Sequence, residues 1–308
     1  MAASLIAFIA IVVIGAVLRA SGFLTKSHAD KLAAVVFSIS LPATILVSLD
    51  RMAFAPRTWT LPLAACLITL PVLACAWLVA RRLELPRPRQ GAFLLATGCI
   101  NSVYFAYPVV SAIFGDDGLA RAILFDLGQT LLTLTVLYGL AVWHGPHTAS
   151  PHAVFRRVLT APPLWALCGI LSLKWFHLEL PAWLHEGLVP IHLTTTPLAS
   201  LVLGLSISVN AVRRSAGLAL LGVLVRMAGG FVFGLSAVWV LDLSGLERAV
   251  VILVAAMPSA VTAVIFARDA ELDEDLVASV VALSICVGIA LLPWLPFLAA
   301  SLVRKTAG

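Results

Sequence analysis

The residues best suited to chemistry lie in two short segments, Asn101-Ser102-Val103-Tyr104-Phe105-Ala106-Tyr107-Pro108 and Ala255-Ala256-Met257-Pro258-Ser259-Ala260. Each sets a proline inside a long apolar run, with Asn or Ser beside it. Proline removes a backbone donor and disrupts the preceding helical turn. Backbone freed in hydrocarbon must then be satisfied by protein, water or substrate. Asn101 and Pro108 are about two helical turns apart, so both can border one interruption near the bilayer midplane. In the second segment small residues permit close backbone approach. If the two breaks cross, converging half-helix N-termini offer N–H groups and partial positive charge that suit an anion. Asn101, Ser102, Pro108, Pro258 and Ser259 are therefore the candidate substrate-binding residues. The plain alternative at each proline is a kink and nothing more.

Asp126, Gln129 and Arg226 are candidates for ion coupling or anion binding. Asp126 stands in Leu124-Phe125-Asp126-Leu127-Gly128-Gln129, and Arg226 lies about 15 Å into its apolar run, counted from Ala216. Ionisable groups at such depth are costly and mark substrate or ion paths. Asp126 is also near enough to a helix start to reach the interface. Gln129, Asn210, Ser259 and Thr262 equally suit ordinary helix–helix hydrogen bonds.

Catalytic signatures are missing. There is no Walker A run, GxSxG or Rossmann fingerprint. His185-Glu186 begins an HExxH motif, but Val189 occupies the second histidine position. His144, His147 and His152 share a loop without neighbouring cysteines, and Cys66, Cys75, Cys99, Cys168 and Cys286 show no CxxC spacing. No catalytic residue, cofactor or metal is expected, which argues against a membrane-embedded enzyme.

The elements that must position these residues are membrane helices. Of 308 residues, 61% are hydrophobic and 11% charged, and the mean hydropathy is +1.06. A soluble domain carries about 25% charged residues. The net charge of +5 would suggest nucleic acid on a soluble protein, but here the cations punctuate apolar runs and no nucleic-acid partner is expected. The runs are 3–20, 31–49, 60–80, 92–114, 118–143, 162–178, 188–212, 216–241, 247–267 and 276–302. They predict an all-α integral membrane protein with ten transmembrane helices, each needing about 20 residues. Alternate connections hold 12 Lys and Arg against 7 on the other side, which predicts both termini outside.

Prolines repeat across the two halves. Pro42 and Pro197 fall in predicted helices 2 and 7, Pro108 and Pro258 in predicted helices 4 and 9. The predicted organisation is a five-helix repeat over 1–143, a cytoplasmic connector over 144–161 and a second repeat over 162–308. Five being odd, the second repeat inserts upside down, the trace expected of an inverted-repeat transporter.

The run Asn101 to Pro108, followed by Ile113-Phe114-Gly115 and Gly118-Leu119-Ala120, resembles the helix-4 signature of the auxin efflux carrier family, which includes the PIN-FORMED carriers and bacterial dicarboxylate permeases. Met257-Pro258-Ser259-Ala260 through Phe266-Ala267 resembles its helix-9 signature. Val103 and Ala106 stand where the family usually has glycine, and the second helix-9 proline and long plant loop are missing. The resemblance implies a scaffold of helices 1, 2, 6 and 7, with homodimerisation through it. It also implies a transport unit of helices 3–5 and 8–10, with substrate at crossed, broken helices 4 and 9. Asn101 would meet a substrate carboxylate, Pro108 and Pro258 would shape the crossing, and transport would proceed by an elevator-like displacement. The expected activity is secondary transport of mono- or dicarboxylates across a bacterial inner membrane, coupled to protons or uncoupled. The alternatives are a sodium-coupled organic anion symporter of the bile-acid type and a non-transporting membrane receptor.

Overall fold

The computed structural model describes residues 2–52, 56–146, 160–207 and 216–304. His147, His152 and Asn210, named above, lie outside these residues, as do Arg156, Arg157, Arg213, Arg214 and Lys305, which belong to the count of connecting cations. Among the described residues the chain is all-helical, and the only β pairing is one isolated bridge between Ile100 and Ser259.

Among the described residues, seven helical stretches are long and apolar enough to cross a membrane: Ala3–Ala20, Lys26–Asp50, Arg57–Arg82, Ser102–His144, Ala182–Ser206, Ala216–Val240 and Glu274–Val303. The sequence predicts ten, and the difference has three local causes. The predicted fourth and fifth helices join in the 43-residue stretch Ser102–His144, which Gly115 interrupts at φ 66°, ψ −158°. The predicted sixth is only the 14-residue helix Pro162–Trp175. The predicted ninth is split into Gly245–Ala255 and Thr262–Asp269.

The chain gathers into two compact units. The first comprises Met1–Thr58, Val103–Ile123 and Pro151–Ser206. Its helices are α1 (Ala2–Ala20), α2 (Lys26–Val35), α3 (Leu41–Asp50), the start of α6 (Tyr107–Leu132), α8 (Pro162–Trp175) and α9 (Ala182–Ser206). A wider π turn at Val36–Ser40 joins α2 to α3, where Pro42 cannot donate the next helical bond. Hydroxyls occupy this junction. Thr44 and Thr195 Oγ1 meet at 2.7 Å and both reach the Ser40 carbonyl, at 2.9 and 3.1 Å, while Ser40 Oγ meets Thr194 Oγ1 at 3.2 Å. They fasten α3 antiparallel to α9. Along its other side α9 meets α1 backbone to backbone at Gly15 and Gly204.

The second unit comprises Trp59–Ser102, Leu124–Ser150 and Ile207–Gly308. It holds α4 (Thr60–Arg82), α5 (Arg87–Gly98), the end of α6, α7 (Tyr138–His144), α10 (Ala216–Val223), α11 (Gly229–Val240), α12 (Gly245–Ala255), α13 (Thr262–Asp269), α14 (Glu274–Leu291) and α15 (Leu295–Arg304). Its most enclosed parts are the two short helices α5 and α12. Every residue from Gly91 to Gly98 and from Ala249 to Ala255 is buried. At 12 and 11 residues they are about 17 Å long, roughly half a bilayer core. Helices whose later turns are fully buried and end inside the protein are the ones whose termini need explaining.

Gly204 tests the α1–α9 packing, because a Cβ there would press on the Val12 carbonyl. Gly204→Ala is expected to cost about 1–3 kcal/mol by overpacking. Gly187→Ala in the same helix meets nothing within 4 Å and is expected to be neutral or slightly stabilising. Thermal unfolding of both variants in one detergent checks the contrast.

Candidate functional site

The end of α12 is written by Pro258, which keeps the residue before it out of helical geometry. Met257 N closes the last turn on Val254 O at 3.1 Å, and the chain then leaves the helix until Val261 turns into α13. On the other segment α5 stops at Gly98, and Cys99 is extended at φ −84°, ψ 122°. The two open stretches lie antiparallel. Asn101 N donates to Pro258 O at 2.9 Å, and Ala260 N donates to Cys99 O at 3.1 Å. Ile100 and Ser259 sit opposite each other between those bonds. Each break thus supplies the backbone partners that the other one lost, the condition for non-helical chain at membrane depth.

Four of the five candidate substrate residues meet here. Asn101 is buried, and its carboxamide donates a long 3.4 Å bond to Ser259 O. Ser259 serves the crossing itself: its Oγ donates to Ala96 O at 2.5 Å, and its N–H donates to Ser284 Oγ at 3.0 Å on α14. Ser102 is buried, yet its Oγ has no hydrogen-bond partner among the described residues. Pro258 ends α12 as expected. Pro108 lies inside the helical stretch Ser102–His144, just past the wide π turn Ser102–Ala106, and its missing N–H removes one helical bond there. The interruption itself is at Cys99–Asn101, upstream of that proline.

Helix ends expose carbonyls as well as amides. The C-termini of α5 and α12 carry unsatisfied C=O groups and partial negative charge. Arg226 reaches both. Its Nη1 donates to Thr97 O at 3.2 Å and its Nη2 to Ala255 O at 2.7 Å, from a side chain 0% exposed. Gln129 serves the neighbouring carbonyl: Nε2 donates to Gly98 O at 3.0 Å and to Thr133 Oγ1 at 3.3 Å, while Oε1 accepts from Thr69 Oγ1 at 2.6 Å. A guanidinium stripped of water is expensive, and here two carbonyls at helix C-termini compensate it. Its approach depends on backbone geometry. Arg226 sits in a wide π turn, Leu224–Ala228, and a Cβ at Gly230 would strike both Ala255 O and Arg226 Nη2. Asp126 is half-buried in the part of α6 that belongs to this unit, one turn before Gln129.

Sequence reasoning located Arg226, Gln129 and Asn101 but missed Thr69, Thr97, Gly230 and Ser284. Gly229-Gly230 directly after Arg226-Met227-Ala228 was the available signal for a close approach. Also missed was a cluster in the first unit, formed by Asp50, Arg51, Asp116, Lys174, His185 and His192. Among the described residues no group of His, Cys, Asp and Glu could hold a metal ion.

Comparison with known proteins places this geometry in context. The membrane transport protein family profile matches residues 1–296. An uncharacterized transporter of Methanothermobacter thermautotrophicus is 30% identical over 295 residues, covering 94% of this chain and 95% of its own. An uncharacterized transporter of Methanocaldococcus jannaschii is 27% identical over 278 residues, covering 87% of this chain and 89% of its own.

Replacing Arg226 tests its part in the crossing. Arg226→Met leaves two buried carbonyls without donors, at about 1–3 kcal/mol each, and is expected to lower the unfolding temperature clearly. Arg226→Lys keeps the charge without the fork and should recover part of the loss. Unfolding of Arg226→Met at the wild-type temperature would contradict the clamp.

Proposed function

The chain belongs to the membrane transport protein family, that of the auxin efflux carriers, and on that premise we propose that it is a secondary transporter of small organic anions. Mono- or dicarboxylates are the proposed substrates, and elevator-type alternating access is the proposed mechanism. The observation that carries this reading is the mutual backbone exchange of two interrupted helices in the buried centre of one unit. Such breaks are the substrate sites of repeat-built transporters.

The site chemistry suits a carboxylate held by neutral donors. The Asn101 carboxamide and the unpartnered Ser102 hydroxyl are the groups left to receive it, beside the start of α13. Arg226 and Gln129 act one step back: they neutralise the carbonyl ends of α5 and α12, so that the amide ends dominate the field an anion meets. Pro258 and Ser259 hold the opening in shape, and Pro108 interrupts the hydrogen bonding of the helical stretch that follows Asn101. Asp126 remains the candidate for proton coupling at the level of Gln129.

Ten crossings in two inverted repeats, 1–143 and 162–308 around a connector at 144–161, belong to the same proposal. Support comes from the breaks at Cys99–Asn101 and Met257–Ala260, one in each half, and from Gly115, which divides the 43-residue stretch into two spans. The helix grouping also favours a scaffold and a transport unit: predicted helices 1, 2, 6 and 7 fall in one compact unit, and 3, 8 and 10 in the other. Val103–Ile123, from predicted helices 4 and 5, groups with the scaffold helices. A bacterial inner membrane, both termini outside and a homodimer complete the reading.

Reconstitution tests it. Proteoliposomes are expected to take up labelled malate, malonate or an auxin-like acid, with a pH-gradient arm and a sodium arm separating the coupling modes. Absence of flux for every carboxylate would overturn the proposal. Asn101→Ala is expected to raise KM about tenfold, the value of one hydrogen bond to a charged group, while the unfolding temperature stays near wild type.

A further inference from the structure

The first unit carries a second polar cluster that substrate binding does not use. Asp50, at the end of α3, receives His185 Nδ1 at 3.2 Å, the Leu180 amide at 3.0 Å and Lys174 Nζ at 3.7 Å on its carboxylate. Lys174 also donates to the Asp50 carbonyl. Arg51 Nη2 lies 3.2 Å from His185 Nε2, and Arg51 Nη1 lies 3.8 Å from Asp116 Oδ2. The other Asp116 oxygen faces His192 Nε2 at 3.7 Å, and His192 Nδ1 meets Thr44 Oγ1 at 3.2 Å. Asp116 directly follows Gly115, whose positive φ makes the turn inside α6. The chain of groups runs from enclosed to wet: the Asp50 and His192 side chains are 12% and 11% exposed, those of Asp116 and Arg51 49% and 60%.

Donor counting assigns the neutral tautomers. Arginine only donates, so His185 Nε2 accepts from Arg51, which leaves the hydrogen on Nδ1, 3.2 Å from Asp50 Oδ2 but without a hydrogen bond to it. With Thr44 Oγ1 donating to Ser40 O, it accepts from His192 Nδ1–H, and the bare Nε2 faces the Asp116 carboxylate. A proton arriving at His185 lands on Nε2, ends the bond from Arg51 and frees the guanidinium for Asp116. A proton arriving at His192 turns a lone pair facing a carboxylate into an N–H⁺ facing it. Both additions tighten the hold on Asp116.

We propose that His185, His192 and the Asp50, Arg51 and Asp116 side chains between them form a proton-binding site, whose occupancy fastens the Gly115 turn to α3 and α9. The surroundings set its response. Asp50 favours a proton on His185, while Arg51 and Lys174 oppose it. Burial opposes one on His192, Asp116 favours it, and Arg51 and a charged His185 oppose it. On the turn, Arg121 Nη1 donates to Asp117 O. From α1, which packs on α9, the only charged side chain is Arg19 in the last turn. From α2, Lys26, His28, Asp30 and Lys31 belong to the opposite end of α9, given the antiparallel pairing of Thr44 with Thr195 and Asp50 with His185. This response belongs to the first unit whether or not the chain carries a carboxylate.

Hydrogen–deuterium exchange of the full chain in nanodiscs reads the turn directly. Amides around Gly115 are expected to exchange roughly fivefold more slowly at about pH 5 than at about pH 8, after correction for intrinsic rates, because the lower pH supplies the proton that the site binds. Asp116→Asn, at a half-exposed position, is expected to fold and to abolish the difference. His192→Gln, as a second variant, is expected to reduce it at least by half. Equal protection of the wild type at both pH values, or an undiminished difference in both variants, overturns the proposal.

Discussion

Two helices that end inside a membrane protein have to answer for each other's backbone. That constraint organises the second unit. Pro258 ends α12, Gly98 ends α5, and the stretches beyond them exchange the Asn101–Pro258 and Cys99–Ala260 bonds. Without the exchange, each open stretch would leave donors and acceptors in an environment that offers no water. The burial of the inner turns of the helices that lead into it follows from the same need, because the exchange is stable only where other helices enclose it.

The exchange settles the amides and carbonyls of the open stretches but not the last carbonyls of the helices. Those fall to Arg226 and Gln129. One cation between two helix C-termini makes the crossing close to neutral as a whole, with positive character left on the amide side. A neutral frame of this kind can receive an anion without holding it as a fixed countercharge would, which is what a carrier that must also release its cargo requires. In the first unit, by contrast, charged groups pair with one another at the rim, where water moderates their attraction.

Much of this was legible in the sequence wherever a residue type forces a local outcome. Pro258 marked its break correctly because proline constrains its own neighbour. Pro108 misled by several residues, because the real break lies upstream at Cys99–Asn101, where no proline marks it, and Pro108 itself sits inside the helical stretch that follows. Asn101 was the better guide. Arg226 was conspicuous by its depth, but its partners are backbone carbonyls, which every residue has, so its task left no trace beyond Gly229-Gly230. His185 was read only as a failed zinc motif, since its carboxylate partner lies 135 residues away at Asp50. The ten predicted crossings exceed the seven continuous long helices among the described residues because hydropathy records where lipid is tolerated, and neither a short helix like α8 nor a split one like α12 and α13 declares itself that way.

The Asn101–Ser259 contact joins positions 158 residues apart in the chain. At ribosomal speeds of about 5–20 residues per second, the first open stretch waits on the order of ten to thirty seconds for the second to be made. Through that interval a nearly finished first half sits in the bilayer with bare amides and carbonyls at its centre. The nascent protein therefore has a built-in vulnerable period. Insertion machinery or early-forming neighbours such as α4 must shield it, and a stalled or truncated chain presents the unpaired segment to membrane quality control as a ready mark for degradation.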